Sequence, residues 1–331
     1  METKQGEGMR YEELQNSLRA SILPAYMING GESYLTVSAL KMIEDALNIS
    51  LKDFNVMKIG DDYTRGMSNI VESCEALPLM DSKRLIVVSD FVGKKNEAEK
   101  KIILKYLERP CMTTCIVFFS TAQSDFFSSF QDKVENIDCK SVSAGYLLNF
   151  LSEKLKNYNL SATNDVKQMI CDYCNNSITK LDTQVDKLYF IKGDGKELTR
   201  EDIENYIAKD LEYVIFDLTN AICNKDRERA ILLVDDMIKN KEQPVTIVSI
   251  ITNHFRRLFF IARSSSSSQE LAKLLNVKEY AISKYRAQLK YFTQKELKRI
   301  YDLCVECDLN IKSGKMEGKT AVMYLLFSIL K

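Results

Sequence analysis

Four short apolar runs, each followed by a helical pattern, fill the first ~140 residues of this chain and then stop. They are AYMIN (Ala25–Asn29), FNVMKI (Phe54–Ile59), RLIVVSDF (Arg84–Phe91) and TCIVFFS (Thr114–Ser120). Each is rich in β-branched or aromatic residues, as strands buried on both faces of a parallel sheet are. The stretches between them supply the crossover helices that parallel strands require. In KKNEAEKKIILKYLE, for example, Ile102, Ile103, Tyr106 and Leu107 share one helical face. Strands alternating with helices predict an α/β domain built on a parallel sheet.

After about Ser143 the strand signals end and the pattern predicts helices only. YLLNFLSEKLKNY, NDVKQMICDYC, SITKLDTQVDKLYFIKG and LTREDIENYI all read as helical. In the third, Ile178, Leu181, Val185 and Leu188 repeat at helical spacing. Thr199 with Asp202 three residues on predicts an N-terminal cap. From about Leu211 longer helical patterns follow, two of them joined by the polar connector Ser264–Ser268. Only four prolines interrupt the chain, which suits long helices. The expected organisation is an α/β domain over 1–143, a small helical domain over 144–210 and a second helical domain over 211–331.

The turn after the first run, NGGESYLT, stands where an α/β nucleotide-binding protein keeps its phosphate loop. A working loop reads GxxxxGK[ST], its lysine meeting the phosphates and its hydroxyl holding magnesium. Here Glu32 and Ser33 follow Gly30 and Gly31, and no lysine appears until Lys41. By then the helix is more than two turns along. Glu32 repels a phosphate while suiting the dipole of its own helix. The two glycines are expected to serve only the strand-to-helix turn, and no cofactor is expected.

Other chemistry is sparse. One histidine, His254, cannot build a His-rich metal site, and reads as a partly buried polar group on a helix. The pairs Cys171/Cys174 and Cys304/Cys307 have zinc-like spacing but lie in helical patterns, where core cysteines are expected and metal knuckles are not. No bound metal and no catalytic motif are expected. Nine cysteines in a chain of 331 residues argue for reduced thiols, and the N-terminal METKQGEGMRYEEL lacks a signal peptide's apolar core. No stretch reads as the ~18 apolar residues of a membrane span, so a cytoplasmic protein is expected. Acidic and basic residues balance at 46 each, so any nucleic-acid contact is expected to be local, weak or shared with partners. Arg256 and Arg257 are the candidates for a local phosphate contact.

In CEALPLMDSKRLIVV, Pro78 ends a helix near Ala76, and Leu79 and Met80 fall on the turn before the next strand. Two readings are open: the pair tucks under the sheet edge as core, or it projects as an anchor for a partner's pocket.

Five stretches in order then carry a resemblance over nearly the whole chain: YMINGGESYL, ALPLMDSKRLIVV, LDTQVDKLYFI, VIFDLTNAI (Val214–Ile222) and DLNIKSGKME (Asp308–Glu317). The chain resembles the delta-subunit family of bacterial DNA polymerase III, the clamp-loader subunits that open the sliding clamp. It departs from the family's pattern at Gln184, where a glutamate is usual, and at Met80, where phenylalanine is frequent. The resemblance implies an AAA+-like (RecA-like) α/β domain with a degenerate loop, a small helical domain, and a helical collar that assembles into a five-subunit ring. It implies Leu79 and Met80 as the clamp contact, with no intrinsic catalysis inside a DNA-directed DNA polymerase, a nucleotidyltransferase. The implied partners are the sliding clamp (beta subunit), tau/gamma and delta-prime type subunits, and primer-template DNA. A nucleotide-dependent P-loop-like ATPase and a DNA-binding replication or repair scaffold are the competing readings. The first would need a lysine in the loop, the second a salt-dependent DNA affinity of the chain alone.

Overall fold

The computed structural model describes residues 8–60, 66–89, 97–120 and 130–331. The chain divides into two compact units, one ending at Ile207 and the other beginning at Ala208.

The first unit opens with β1 (Met9–Arg10), α1 (Tyr11–Ala20), β2 (Ala25–Gly30), α2 (Ser33–Leu47), α3 (Lys52–Asn55) and β3 (Val56–Ile59). It continues through α4 (Met67–Glu75), β4 (Arg84–Ser89), α5 (Glu97–Glu108), β5 (Thr114–Ser120) and β6 (Glu135–Cys139). The six strands form one sheet in the order β1-β6-β2-β5-β4-β3, with every pairing parallel. Strand side chains alternate between the two faces. Met27, Ile86, Val88, Ile116 and Phe118 pack with Ile70 and Cys74 of α4 and Ile103 and Leu107 of α5. Tyr26, Ile28, Leu85, Val87 and Val117, at the alternate positions, are buried as well, so the parallel α/β sheet is covered on both faces.

The strand boundaries differ from expectation at one informative place. The expected strand Phe54–Ile59 begins only at Val56, because Lys52–Asn55 forms the helical turn α3. Asp81 accepts the backbone N–H groups of Ser50 and Leu51, at 3.1 and 3.0 Å, and this holds the chain in a turn. Strands β1 and β6 and helix α1 were not expected. The run ENIDC has only Ile137 and Cys139 to bury, too few apolar residues to signal a strand. Asp90 and Phe91 of the third run, the first residues of KKNEAEKK and residues 1–7 lie outside the described residues.

The rest of the first unit comprises α6 (Ala144–Asn157), β7 (Ser161–Ala162), α7 (Asn164–Tyr173), α8 (Ile178–Lys192), β8 (Glu197–Leu198) and α9 (Arg200–Tyr206). The expectation of helices alone is corrected by β7 and β8, a two-residue parallel pair. Ile178, Leu181, Val185 and Leu188 are all buried along α8. Thr199 and Asp202 form a reciprocal capping box at α9. Asp182 and Asp186, four residues apart on α8, both reach Lys154 of α6, Asp186 at 2.6 Å. The motif LDTQVDKLYFI therefore carries an internal ion-pair clasp.

The second unit is helical: α10 (Leu211–Cys223), α11 (Arg227–Lys239), α12 (Pro244–Arg263), α13 (Ser268–Leu275), α14 (Glu279–Leu289), α15 (Gln294–Lys312) and α16 (Gly318–Ile329). Ile247, Ile251, Phe255 and Leu258 of α12 pack with Ile300 and Cys304 of α15 and Leu325 of α16. Contrary to the sequence expectation, α12 has the 20-residue length and mean hydropathy that a membrane span needs. Its apolar stripe is buried in this core, as the stripe of a soluble core helix is. Ser267 in the serine connector caps α13 in a capping box with Glu270.

Candidate functional site

Two places could carry function: the glycine turn after β2 and the loop before β4. Gly30 ends β2, at the point where that central strand pairs with β5 on one side and β6 on the other. Ligands of open α/β sheets bind at such positions, outside the carboxyl ends of the strands. A Cβ at Gly30 would stand 2.0 Å from Thr36 Cγ2, whereas one at Gly31 meets nothing within 4 Å. Gly30 is thus required by the close approach of α2, and Gly31 is free of that constraint. Neither adopts a left-handed φ, so Gly30 answers a packing demand, and neither glycine is called for by a left-handed turn.

Glu32 is the N-cap residue of α2, but its side chain accepts no N–H of that helix. It is 7% exposed, and its Oε2 accepts the Ser177 hydroxyl at 2.7 Å and the Thr179 N–H at 3.3 Å. Ser177 is the N-cap of α8. The carboxylate therefore satisfies the positive end of a helix 145 residues away in sequence. In return, Thr179 Oγ1 accepts the N–H of Tyr34 in the first turn of α2 at 3.1 Å. Ser33 is exposed beside this latch. The turn that would cradle a phosphate is instead a joint between the sheet and α8, with a buried carboxylate at its centre.

The loop 77–81 is built the opposite way, with its backbone fixed and its side chains outward. Asn55 is 1% exposed. Its Oδ1 accepts the Leu79 N–H at 2.8 Å, and its Nδ2 donates to the Leu79 carbonyl at 2.9 Å and to Asp81 Oδ2 at 2.7 Å. Asp81, taking the N–H groups of Leu51 and Ser50 besides, has its carboxyl held below the usual range by those backbone donors. On this fixed frame Leu79 is 48% and Met80 89% exposed, with Leu77 exposed beside them. Met80 has φ +55°, a left-handed conformation that non-glycine residues adopt at a cost. The choice left open by the sequence is decided by burial: the pair is surface. Asn55 and Asp81 were missed by the sequence reading, their partners being backbone atoms up to 31 residues away.

The remaining candidates are absorbed by packing. His254 is buried, its Nε2 2.8 Å from Gln288 Oε1, and burial pushes its pKa down to about 4. It is more deeply enclosed than the expected half-buried residue, because α14 delivers Gln288 against it. Arg257 bonds Tyr285 Oη at 3.1 Å and Glu212 at 3.3 Å, while Arg256 is exposed. The two arginines therefore do not present a joint phosphate site. Cys171 and Cys304 are buried thiols pushed up to about 12 by desolvation, and Cys307 to about 11. Among the described residues no three His, Cys, Asp or Glu side chains group as metal ligands.

A parallel sheet of nucleotide-binding type, a first loop without its lysine, and helices beyond define an AAA+-like chain. The particular family follows from two matches: the model for the DNA polymerase III delta subunit over 26–140, and that for the C-terminal domain of the same family over 212–329. The chain belongs to the DNA polymerase III delta-subunit family. It is 22% identical to the DNA polymerase III subunit delta of Bacillus subtilis (strain 168), over 98% of this chain and 97% of that one. A probable delta subunit from Aquifex aeolicus (strain VF5) is 21% identical over 45% of this chain and 44% of its own. The solved Bacillus subtilis DNA clamp loader delta protein shares the fold at TM-score 0.68 and 20% identity, covering 97% of this chain and 99% of that one.

Proposed function

We propose that this chain opens the sliding clamp as part of a clamp loader, binding it through Leu79 and Met80 during loading onto primed DNA. The observation that carries the reading is an apolar pair held outward on a rigid backbone frame, in a member of the delta-subunit family. Asn55 and Asp81 remove the ordering cost that a flexible loop would face on binding. If the pair fits an open-interface clamp better than a closed one, binding shifts the clamp towards opening. No bond need be made or broken by this chain. Glu32, committed to α8, gives the degenerate loop a structural task.

In this reading residues 1–143 carry the clamp contact, 144–210 form the small helical domain, and 211–331 form the collar that assembles with tau/gamma and delta-prime type subunits in a hetero-pentamer. Those ATP-driven partners govern when the pair is presented, primer-template DNA is met within the complex, and the setting is cytoplasmic. The experiment is clamp binding by the purified chain without nucleotide. Saturable binding supports the reading; binding that requires ATP on the isolated chain overturns it.

A further inference from the structure

The exposed pair does not stand alone at its edge of the sheet. The segment that carries it is stitched on both sides to a neighbour bearing another exposed apolar side chain. On one side, Leu79 and Asp81 bond Asn55, and Phe54 next to it is 64% exposed. On the other, the Lys83 ammonium donates to the Met112 carbonyl at 2.5 Å and the Arg84 N–H to the Thr113 carbonyl at 2.9 Å. Met112 is likewise 64% exposed. Phe54, the 79–80 pair and Met112 immediately precede β3, β4 and β5, which are adjacent and parallel. Parallel neighbours lie roughly 4.8 Å apart, so the three positions form a row along the amino ends of the strands.

Area argues that the row is used. A specific interface needs about 800 Å² per partner. Leu79, with 48% of its surface exposed, and Met80, with 89%, fall well short of that area by themselves. Leu77 on the same loop, and Phe54 and Met112 on the segments bonded to it, offer further exposed apolar area.

We propose that Phe54 and Met112 are flanking contacts for the same sliding clamp, making the binding surface an edge three strands wide and not a two-residue plug. This rests on the clamp-binding reading of Leu79 and Met80, with the clamp as the occupant. The test uses the full chain and the sliding clamp from the same genome, immobilised, without nucleotide. Phe54→Ser, Met112→Ser and their combination are compared with Leu79→Ala/Met80→Ala, and thermal melts are run on all. Each flanking change is expected to weaken binding about three- to tenfold and the combination more, with melting unchanged. Phe54→Leu, which keeps an apolar side chain, is expected to retain most of the affinity. If the 79/80 double variant loses binding while the flanking variants match the wild type, the wide edge is overturned and the pair stands. If flanking changes weaken binding and the 79/80 changes do not, the reading of the pair falls, and with it the edge built around the pair. A drop in melting temperature that accounts for the loss makes the flanking residues structural and overturns the proposal.

Discussion

Asn55 and Leu79 are joined twice, the side-chain amide of one receiving the N–H and reaching the carbonyl of the other at 2.8 and 2.9 Å. A buried side chain here does for one residue what a neighbouring strand does in a sheet, satisfying both backbone groups. The consequence is a loop whose backbone is ordered and whose side chains face solvent.

Asn55→Ala leaves the Leu79 N–H, the Leu79 carbonyl and Asp81 without that partner. Because residue 55 is itself covered, it does not touch a partner. Clamp affinity is expected to fall about tenfold through loosening of the loop. Hydrogen exchange at residues 77–82 should accelerate. Unchanged exchange with unchanged affinity would remove Asn55 from the account.

Glu32→Ala is expected to destabilise the first unit by about 1–3 kcal/mol, since the Ser177 hydroxyl and the α8 N-terminus lose a buried anionic acceptor. A lowered melting temperature checks this. Neither the wild type nor the variant should give saturable micromolar heat on titration with Mg-ATP, because no lysine stands in the loop. Such heat in the wild type would contradict the structural role given to the turn.

These two residues mark the limit of what the sequence discloses. The parallel sheet was legible because its central strands are buried on both faces and so read as unbroken apolar runs. The exit at Pro78 and the capping box at Thr199 were legible because their causes are local. Glu32 does stand at the start of its own helix, but its side-chain partners were not legible because they lie 145 and 147 residues on. Phe54 and Asn55 were read into a strand because they lead into an apolar run, and Asp81, which turns the chain before them, lies 31 and 30 residues beyond its partners Ser50 and Leu51. Arg256 and Arg257 look equivalent in sequence, and only the fold brings Tyr285 and Glu212 to one of them.

His254 supplies a pH dependence. Its folded pKa, about 4, lies below the ordinary ~6.5 because burial disfavours the cation, and the Gln288 contact only partly offsets this. Between these values the unfolded chain binds a proton that the folded chain does not. Stability is therefore complete above pH 6.5 and falls as pH drops towards 4. By pH 5 the loss from this residue is about 2 kcal/mol. His254→Gln should flatten the fall in melting temperature between pH 6.5 and 5. An identical slope in the variant would show that the imidazole is not held neutral.

Clamp binding by this chain stands or falls with Leu79 and Met80. Fully burying each is worth about 1.5–3 kcal/mol. Leu79→Ala/Met80→Ala should therefore weaken binding by roughly two or more powers of ten, at ~1.4 kcal/mol per tenfold. Folding should change by less than ~0.5 kcal/mol, as at other exposed positions. The direct measurement is nucleotide-free surface binding of wild type and double variant to immobilised sliding clamp, paired with a thermal melt. The account predicts a hundredfold or greater loss of affinity at an unchanged melting temperature. Wild-type affinity in the double variant, or a large fall in its melting temperature, would contradict it.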